Sequence, residues 1–337
     1  MSAPIVITGA AGFIGMHVAL ALLARGHTVL GIDNLNAYYD PALKRDRLAQ
    51  LQSHPAFRFE QLDIADRQAF PALLAREQPR RIVHLAAQAG VRYSITHPHA
   101  YVDANLAGFV NVLEAARALR EAGRFEHLVY ASSSSVYGAN CKTPFAVGDR
   151  VDQPVSLYAA SKRANELMAD VYARQFDVPA TGLRFFTVYG PWGRPDMAAY
   201  RFTRALLAGE PIDVYNHGQL SRDFTEIDDI VAGVMAVLER APTRDDSRSA
   251  VLHQGIPHAL YNLGGHQPEA LMHFIDVLAG ALGCEPQKNF LPMQAGDVHS
   301  TYADIEPMRQ DFGWQPQTHI ATGLPRFVAW YRSYHCV

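Results

Sequence analysis

The sequence has few cysteines, no long apolar run and no leader-like N-terminus. Its three cysteines, Cys141, Cys284 and Cys336, lie far apart and form no CxxC pair, which predicts reduced thiols. No apolar run approaches the roughly 20 residues that cross a membrane. The N-terminus begins with a strand-like segment and lacks the basic and apolar regions of a signal peptide. We therefore expect a cytoplasmic protein that does not bind a membrane.

A strong excess of one charge is also missing. The 30 lysines and arginines nearly balance the 33 aspartates and glutamates and are scattered, so nothing indicates a nucleic-acid partner. The 15 histidines include His97 and His99, but no cysteine or carboxylate joins this pair at ligand spacing, and we predict no metal site. With 337 residues, 49% of them hydrophobic, the chain suits one large domain or two of medium size.

The first 33 residues combine a strand, a glycine-rich turn, a helix, a second strand and an acid. Ile5–Thr8 is the first strand, Gly9, Gly12 and Gly15 mark the turn, and Asp33 ends the second strand. Glycines allow the backbone to approach a pyrophosphate at a helix N-terminus, and the acid is placed to bind a ribose hydroxyl. Because a carboxylate disfavours a 2′-phosphate, the pattern predicts NAD rather than NADP.

Strand and helix patterns then alternate up to residue 187. The further strands are predicted at residues 57–61, 82–87, 127–131 and 180–186. This alternation predicts an α/β fold with a Rossmann-like, doubly wound parallel sheet. We expect residues 1–187 to form the dinucleotide-binding domain, with part of 222–242 returning to it. Residues 188–337 are expected to form a smaller C-terminal α/β domain that binds substrate.

Three further segments carry expectations about local structure. Residues 34–51 are a polar excursion and a basic helix, for which a solvated insertion is one interpretation. Residues 101–122 predict one long amphipathic helix, in which Asn105 either caps or reaches toward the catalytic loop. Residues 261–264 are expected to belong to the smaller domain.

A tyrosine and a lysine lie one helical turn apart in a predicted helix. Tyr158 and Lys162 leave the same helix face because their spacing is four residues. A lysine ammonium stabilises a phenolate, and we therefore expect it to lower the pKa of the phenol toward the range of a general base. A serine run, Ser132 to Ser135, follows the strand that ends just upstream.

At this point the sequence resembles a known family, the extended short-chain dehydrogenase/reductases that act on nucleotide sugars. Within them it is similar to the UDP-glucuronate 4-epimerases, nearly from end to end. The segments that carry the resemblance are residues 9–15, 33–40, 86–94, 132–138, 156–168, 182–197, 222–224 and 292–298. Gln294 supports this subfamily, because glucose epimerases carry Arg there. Glu226 departs from the family, which usually has an aromatic residue or His.

The resemblance implies a catalytic set and two groups of binding residues. Tyr158 is the implied base, Lys162 binds the nicotinamide ribose and tunes Tyr158, and Ser133 is the third member. The implied NAD contacts are Gly9, Gly12, Phe13, Ile14, Gly15, Asp33, Asn34, Asp63, Ile64, Leu85, Ala86 and Ala87, with Tyr158 and Lys162. The implied UDP-sugar contacts are Gln88, Gly90, Arg92, Ser134, Ser135, Thr187, Arg194, Arg201, Val214, Tyr215, Arg222 and Asp297. The family also implies a homodimer through the helices of Tyr101 and Tyr158.

The residues after Ser133 separate the chemistries of the family. Dehydratases carry Asp-Glu at the positions of Ser134 and Ser135, and decarboxylases carry a Glu at the second, so both activities are disfavoured. We expect 4-epimerisation of UDP-glucuronate to UDP-galacturonate through a 4-keto sugar, with NAD tightly bound and regenerated each turnover. Ser134, Ser135, Thr187 and Arg194 are the candidates for holding the carboxylate. Two alternatives stay open: a UDP-glucose/UDP-galactose or dual-specificity epimerase, and a non-catalytic NAD-binding protein.

Overall fold

The computed structural model describes residues 3–248, 254–294 and 298–337. Its strands are β1 (Ile5–Thr8), β2 (Val29–Asp33), β3 (Phe57–Gln61), β4 (Arg81–His84), β5 (His127–Ser133), β6 (Ala180–Phe185), β7 (Thr187–Tyr189), β8 (Ile212–Val214), β9 (Ser221–Glu226), β10 (His258–Leu263), β11 (Pro268–Ala270) and β12 (Lys288–Phe290). Its helices are α1 (Phe13–Ala24), α2 (Pro41–Gln52), α3 (Ala69–Glu77), α4 (Tyr93–Thr96), α5 (Pro98–Tyr101), α6 (Gly108–Glu121), α7 (Leu157–Phe176), α8 (Ala198–Leu207), α9 (Ile227–Leu238), α10 (Leu271–Leu282), α11 (Glu306–Phe312) and α12 (Ile320–His335). No helix in these ranges is long and apolar enough to cross a bilayer.

Seven parallel strands of the described chain form the main sheet, in the order β10-β6-β5-β4-β1-β2-β3. The chain moves outward from β1 through β2 and β3, and then returns to the other side of β1 as β4. Ile7 accordingly pairs with Gly31 on one side and Val83 on the other. The carboxyl ends of β1 and β4 therefore border the crevice where open α/β sheets bind ligands. The predicted Rossmann-like, doubly wound sheet is confirmed.

Both faces of this sheet are covered by helices. In β1, Ile5 and Ile7 belong to a core cluster with α1 and α9, whereas Val6 belongs to a second cluster with α3 and α6. This alternation follows from the two-residue period of a strand. Because both faces are buried, every residue of β1 and β2 is apolar or small, except at their carboxyl ends, Thr8 and Asp33.

A smaller α/β unit covers the carboxyl ends of the sheet. It contains the three-stranded sheet β11-β9-β7, the strand pair β12-β8 and a core shared by α8, α10 and α12. Phe224 of β9 stacks on Phe274 of α10, with ring centroids 4.2 Å apart. Helix α9 leaves this unit and packs on α1. The domain boundary at residue 187 stays a prediction.

Two expectations about elements were wrong. The strand near residue 261 does not belong to the smaller unit, because β10 pairs with β6 at the edge of the main sheet, with Leu260 opposite Gly182. The helix predicted at residues 101–122 is interrupted, since Val102–Ala107 forms a π-helical turn before α6. The side chain of Asn105 in this turn makes tertiary hydrogen bonds that helix periodicity does not reveal.

Candidate active site

A cleft of about 780 Å³ opens at the carboxyl ends of the main sheet and is closed on the far side by the smaller unit. Among the predicted cofactor contacts it is lined by Gly9, Gly12, Phe13, Ile14, Gly15, Asp33, Asn34, Asp63, Ile64, Leu85, Ala86 and Ala87. Among the predicted catalytic and substrate residues it is lined by Gln88, Gly90, Arg92, Ser133, Ser134, Ser135, Tyr158, Lys162, Thr187, Arg194, Arg201, Tyr215 and Arg222. The fold brings these residues to one place, and their individual contacts with ligands stay predictions.

The side chain of one predicted substrate residue does not reach the cleft wall. Val214 is fully buried in the core of the smaller unit, and its neighbours Asp213 and Tyr215 face the cleft instead. The side chain of Val214 is therefore not placed to touch a ligand, because strand residues alternate between two faces. Asp297 lies outside the described residues, while Val298 beside it lines the cleft.

The glycine-rich turn after β1 is packed too closely for side chains. A Cβ at Gly9 would lie 2.7 Å from the Ala86 nitrogen, and one at Gly15 would lie 2.0 Å from the Gly9 oxygen. The turn leads directly into the N-terminus of α1, where backbone N–H groups and the helix dipole favour a pyrophosphate. These residues fit a dinucleotide.

Two carboxylates extend this part of the cleft beyond the turn. Asp33 accepts hydrogen bonds from the backbone N–H groups of Ala11 (3.2 Å) and Leu35 (2.9 Å). Burial raises the pKa of Asp33, an effect opposed by the positive charge of Lys44. Asp63 accepts a hydrogen bond of 2.9 Å from the Asn34 side chain. The acids stand at the ends of β2 and β3, where the ribose and adenine of a dinucleotide lie in this fold.

The three predicted catalytic residues meet where β5 ends beside α7. Helix α7 begins after Ser156, whose side chain caps it by accepting from the Ala159 N–H. Tyr158 and Lys162 then lie one turn apart, and the Lys162 ammonium donates to the Ala131 carbonyl oxygen over 2.8 Å. Ser133 lowers the pKa of the Tyr158 hydroxyl, as a partner of a proton-transferring phenol should.

The expected lowering of the Tyr158 pKa is not seen in this structure. Burial raises the pKa of Tyr158, and this effect exceeds the opposing contributions of the Ser133 hydrogen bond and the Arg194 charge. Lys162 bonds a carbonyl instead, and burial lowers its own pKa to about 8. Sequence spacing alone omits desolvation, which favours the uncharged form of both groups.

A buried ion pair below the cleft was missed at the sequence level. Glu166 pairs bidentately with Arg184, at 2.8 and 2.9 Å, and accepts a 2.6 Å hydrogen bond from Ser132. It therefore anchors the serine run to α7. The signal was available, because Tyr158, Lys162 and Glu166 follow one another at four-residue steps on one helix face.

Asn105 was predicted either to cap a helix or to reach toward the catalytic loop, and in the structure its side chain reaches toward that loop. It accepts from the Gln88 N–H (2.8 Å) and donates to the Gln88 carbonyl oxygen (3.0 Å). It also donates to the Ser161 hydroxyl of α7 over 3.0 Å. The residue therefore ties the loop after β4 to the helix that carries Tyr158.

The substrate side of the cleft is rich in arginine. Arg194 pairs with Asp196 at 3.0 and 2.5 Å, and Tyr38 donates to the same carboxylate over 3.1 Å. Arg92 lies over the Tyr215 ring, 5.2 Å from its centroid. These cations suit a ligand that carries several negative charges.

The comparisons with known proteins show the family to which the chain belongs. The chain belongs to the NAD dependent epimerase/dehydratase family, which it matches over residues 5–251. It is 47% identical over 331 residues to a probable UDP-glucuronate 4-epimerase of Rhizobium meliloti (strain 1021), covering 96% of each chain. It is 46% identical over 335 residues to UDP-glucuronate 4-epimerase 1 of Arabidopsis thaliana, covering 98% of this chain and 77% of the plant protein.

A solved structure extends the likeness to three dimensions. The crystal structure of UDP-glucuronic acid 4-epimerase from Bacillus cereus, in complex with UDP-glucuronic acid and NAD, has a TM-score of 0.88 and 31% identity. The match covers 98% of this chain and 99% of the Bacillus chain. The family resemblance found in the sequence is confirmed.

Proposed function

We propose that this protein catalyses the NAD-dependent 4-epimerisation of UDP-glucuronate to UDP-galacturonate. The observation that carries this function is that Ser133, Tyr158 and Lys162 share one cleft with a dinucleotide turn and with Arg194. The two relatives and the solved structure described above are named for the same activity. NAD, when bound, supplies the hydride acceptor for C4 of the sugar and the hydride donor for the 4-keto sugar.

The chain's own residues move the proton. As a phenolate, which the positive charge of Arg194 favours, Tyr158 takes the proton of the C4 hydroxyl as C4 is oxidised, and returns it to the same oxygen when C4 is reduced on its other face. Ser133 orients the phenol and favours its ionised form. Because one hydride and one proton leave and return, the sugar is neither oxidised nor reduced overall.

The carboxylate must be held while C4 is a ketone. A 4-keto glucuronate is a β-keto acid, which loses CO2 when its C5–C6 bond lies parallel to the carbonyl π system. Ser134, Ser135, Thr187 and Arg194 line the cleft and are the groups proposed to prevent this rotation. Neither Ser134 nor Ser135 is an acid, so the elimination that dehydratases catalyse has no group to carry the proton at these positions.

The remaining predicted contacts are assigned to the nucleotide. We infer that Arg222 and Arg201 bind the diphosphate, since both line the cleft on the side of the smaller unit. The ribose contact of Asp297 stays a proposal outside the described residues. Residues 1–187 would then hold mainly NAD, and residues 188–337 mainly the UDP-sugar.

A homodimer and a cytoplasmic location complete the proposed function. Helices α6 and α7 pack side by side and leave apolar side chains exposed. On and next to these helices the exposed apolar residues are Val102, Val110, Leu157, Leu167 and Val171. A second copy that uses the same face would cover them, as an isologous interface requires. The three cysteines are unpaired, which suits a reducing compartment.

Incubation of the purified protein with UDP-glucuronate and NAD tests the activity. The product is followed by NMR and the gas phase by CO2 analysis. We expect UDP-galacturonate to accumulate to equilibrium with little CO2, and kcat/KM for UDP-glucose to be lower by about a hundredfold or more. A clear preference for UDP-glucose would exclude the role of the carboxylate, and the absence of any turnover would exclude an epimerase.

A further inference from the structure

The helix after the polar excursion carries a fully buried arginine. Arg47 of α2 is 0% exposed. Its guanidinium donates to the carbonyl oxygen of Ala11 (3.2 Å) and to the Tyr39 hydroxyl (2.6 Å). It also donates to the carbonyl oxygens of Trp192 (3.1 and 2.6 Å) and Gly193 (3.2 Å). The interpretation of residues 34–51 as a solvated insertion was therefore wrong at this position.

These acceptors come from two parts of the site that are far apart in sequence. Ala11 belongs to the glycine-rich turn, whereas Trp192 and Gly193 immediately precede Arg194. Arg47 thus connects the turn that would hold NAD with the segment that presents Arg194 to the substrate. Buried hydrogen bonds from a charged donor are among the stronger ones in proteins.

The backbone at Trp192 supports a specific role for this connection. Trp192 has a φ of 63°, in the left-handed region that residues other than glycine rarely adopt. Its carbonyl oxygen accepts two hydrogen bonds from Arg47, and its ring packs on Trp330 and Tyr334 of α12, with centroids 5.4 and 5.1 Å away. The local conformation is therefore held from both sides.

A second contact joins the same two segments. The Tyr38 hydroxyl donates to Asp196 over 3.1 Å, and Asp196 in turn holds Arg194. Lys44 stiffens the intervening chain by donating to the backbone oxygen and side chain of Asn36, at 2.9 and 2.8 Å. Tyr38 and Arg47 therefore both contact the Arg194 segment, one from each side of Lys44 in the sequence.

The buried positive charge of Arg47 also suits an anionic cofactor nearby. No carboxylate in the described ranges lies at ion-pair distance from its guanidinium, and the oxygens that accept its hydrogen bonds are all neutral. A dinucleotide held by the neighbouring turn would add negative charge on this side of the protein. Burial of an unbalanced charge is costly, and nearby anions reduce that cost.

We propose that Arg47 is a positioning residue that couples retention of NAD to the placement of Arg194. This inference rests on the proposed function, because Arg194 is assigned there to the substrate carboxylate. Without the Arg47 guanidinium, the glycine-rich turn and the Arg194 segment lose their shared hydrogen-bond donor. The cofactor is then held less firmly, and the 4-keto sugar gains the freedom to lose CO2.

The test compares Arg47→Met with Arg45→Met in the holoenzyme. Arg45 lies on the same helix but is exposed. One readout is the half-time with which bound NAD is lost during dialysis, measured by absorbance after denaturation. The other is the ratio of CO2 to UDP-galacturonate formed, which does not depend on the fraction of active enzyme. We expect Arg47→Met to change both by about tenfold and Arg45→Met to change neither.

Arg47→Lys keeps the experiment decisive if Arg47→Met does not fold. A lysine keeps the charge but has one nitrogen in place of the three of the guanidinium. We therefore expect the rate of NAD loss and the ratio of CO2 to UDP-galacturonate to change in the same way but less. Wild-type values of either readout in the Arg47 variant that folds would overturn the coupling. Failure of the proposed function is distinguished by the wild-type protein, which would then not turn over UDP-glucuronate at all.

Discussion

The reacting proton depends on one phenol. Tyr158→Phe removes the hydroxyl that takes the proton from the sugar and returns it. The ring and the glycine-rich turn stay in place. We expect kcat to fall by about a thousandfold, within the usual range for loss of a general base, while NAD stays bound. The measurement is turnover of UDP-glucuronate together with the NAD content of the purified protein.

Tyr172→Phe is the matched control for this variant. It lies on the same helix, and its hydroxyl hydrogen-bonds Glu114 on the exposed side of the molecule. It should turn over at the wild-type rate. Substantial activity in Tyr158→Phe would show that another group carries the proton.

We expect Glu226 to make the free energy of unfolding depend on pH. Burial raises its pKa from 4.5 to about 7, and the charges of Asp228 and Asp229 add to this. Between these pH values the folded state binds more protons than the unfolded state, so its free energy of unfolding falls as pH rises. Glu226→Gln removes the charge, while its side-chain oxygen can still cap α9 through the Asp228 N–H.

We expect Glu226→Gln to raise the free energy of unfolding, by about 2 kcal/mol more at pH 8 than at pH 5. Urea denaturation at the two pH values measures this difference. An effect that is the same at both pH values would show that Glu226 does not titrate in this range.

At the residue scale, sequence spacing predicted which side chains meet but not how they ionise. Tyr158 and Lys162 share a face because of helix geometry, which is local. The raised pKa of Tyr158 depends on burial, and the opposing charge comes from Arg194, a contact that no local pattern encodes. The burial of the Val214 side chain was not predictable, because a one-residue shift in a strand exchanges the two faces.

At the scale of elements, α7 carries the catalytic residues and their support. Its Glu166 is buried with Arg184, and removing one partner of such a pair leaves an uncompensated charge. We expect Glu166→Gln to lower the free energy of unfolding by about 3 kcal/mol, as measured by urea denaturation.

Glu121→Gln is the surface counterpart of this substitution. Its ion pair with Arg117 is exposed to solvent, and the expected change is below about 0.5 kcal/mol. Equal effects of the two variants would mean that the buried pair does not anchor the serine run.

Most elements were predictable from periodicity, and the exceptions have physical causes. The β1-turn-α1-β2 unit follows from local signals alone. Strand β10 was assigned to the wrong unit because its partner β6 is distant in sequence, and a buried strand reveals no partner by composition. The π-helical turn at Val102–Ala107 was missed because its side-chain partners, such as Gln88, lie on other elements.

At the scale of the whole molecule, the exposed apolar face of α6 and α7 predicts the assembly. Leu167 is 52% exposed in the single chain. Leu167→Asp would place a charge in the proposed homodimer interface, which disfavours association because the charge must be desolvated. We expect a dimer for the wild type and a monomer for this variant by sedimentation.

Leu207→Asp is the control for assembly. Leu207 is 37% exposed at the end of α8, away from the α6 and α7 face. This variant should sediment as the wild type does. A wild-type monomer, or a Leu167→Asp dimer, would exclude the proposed interface.

The cleft itself was largely predictable, whereas its closure was not. The predicted contact residues converge because parallel strands present their carboxyl ends at one edge of the sheet. The connection of Arg47 to Trp192 and Gly193 could not be predicted, since it joins segments through backbone oxygens that every residue possesses.

The most direct test follows the hydrogen on C4 through the reaction. UDP-glucuronate carrying deuterium at C4 is converted in ordinary water, and the UDP-galacturonate formed is analysed by mass spectrometry and NMR. If a tightly held NAD takes the hydride and returns it while Tyr158 moves only the hydroxyl proton, the product keeps deuterium at C4. Product that carries solvent hydrogen at C4 would contradict this mechanism.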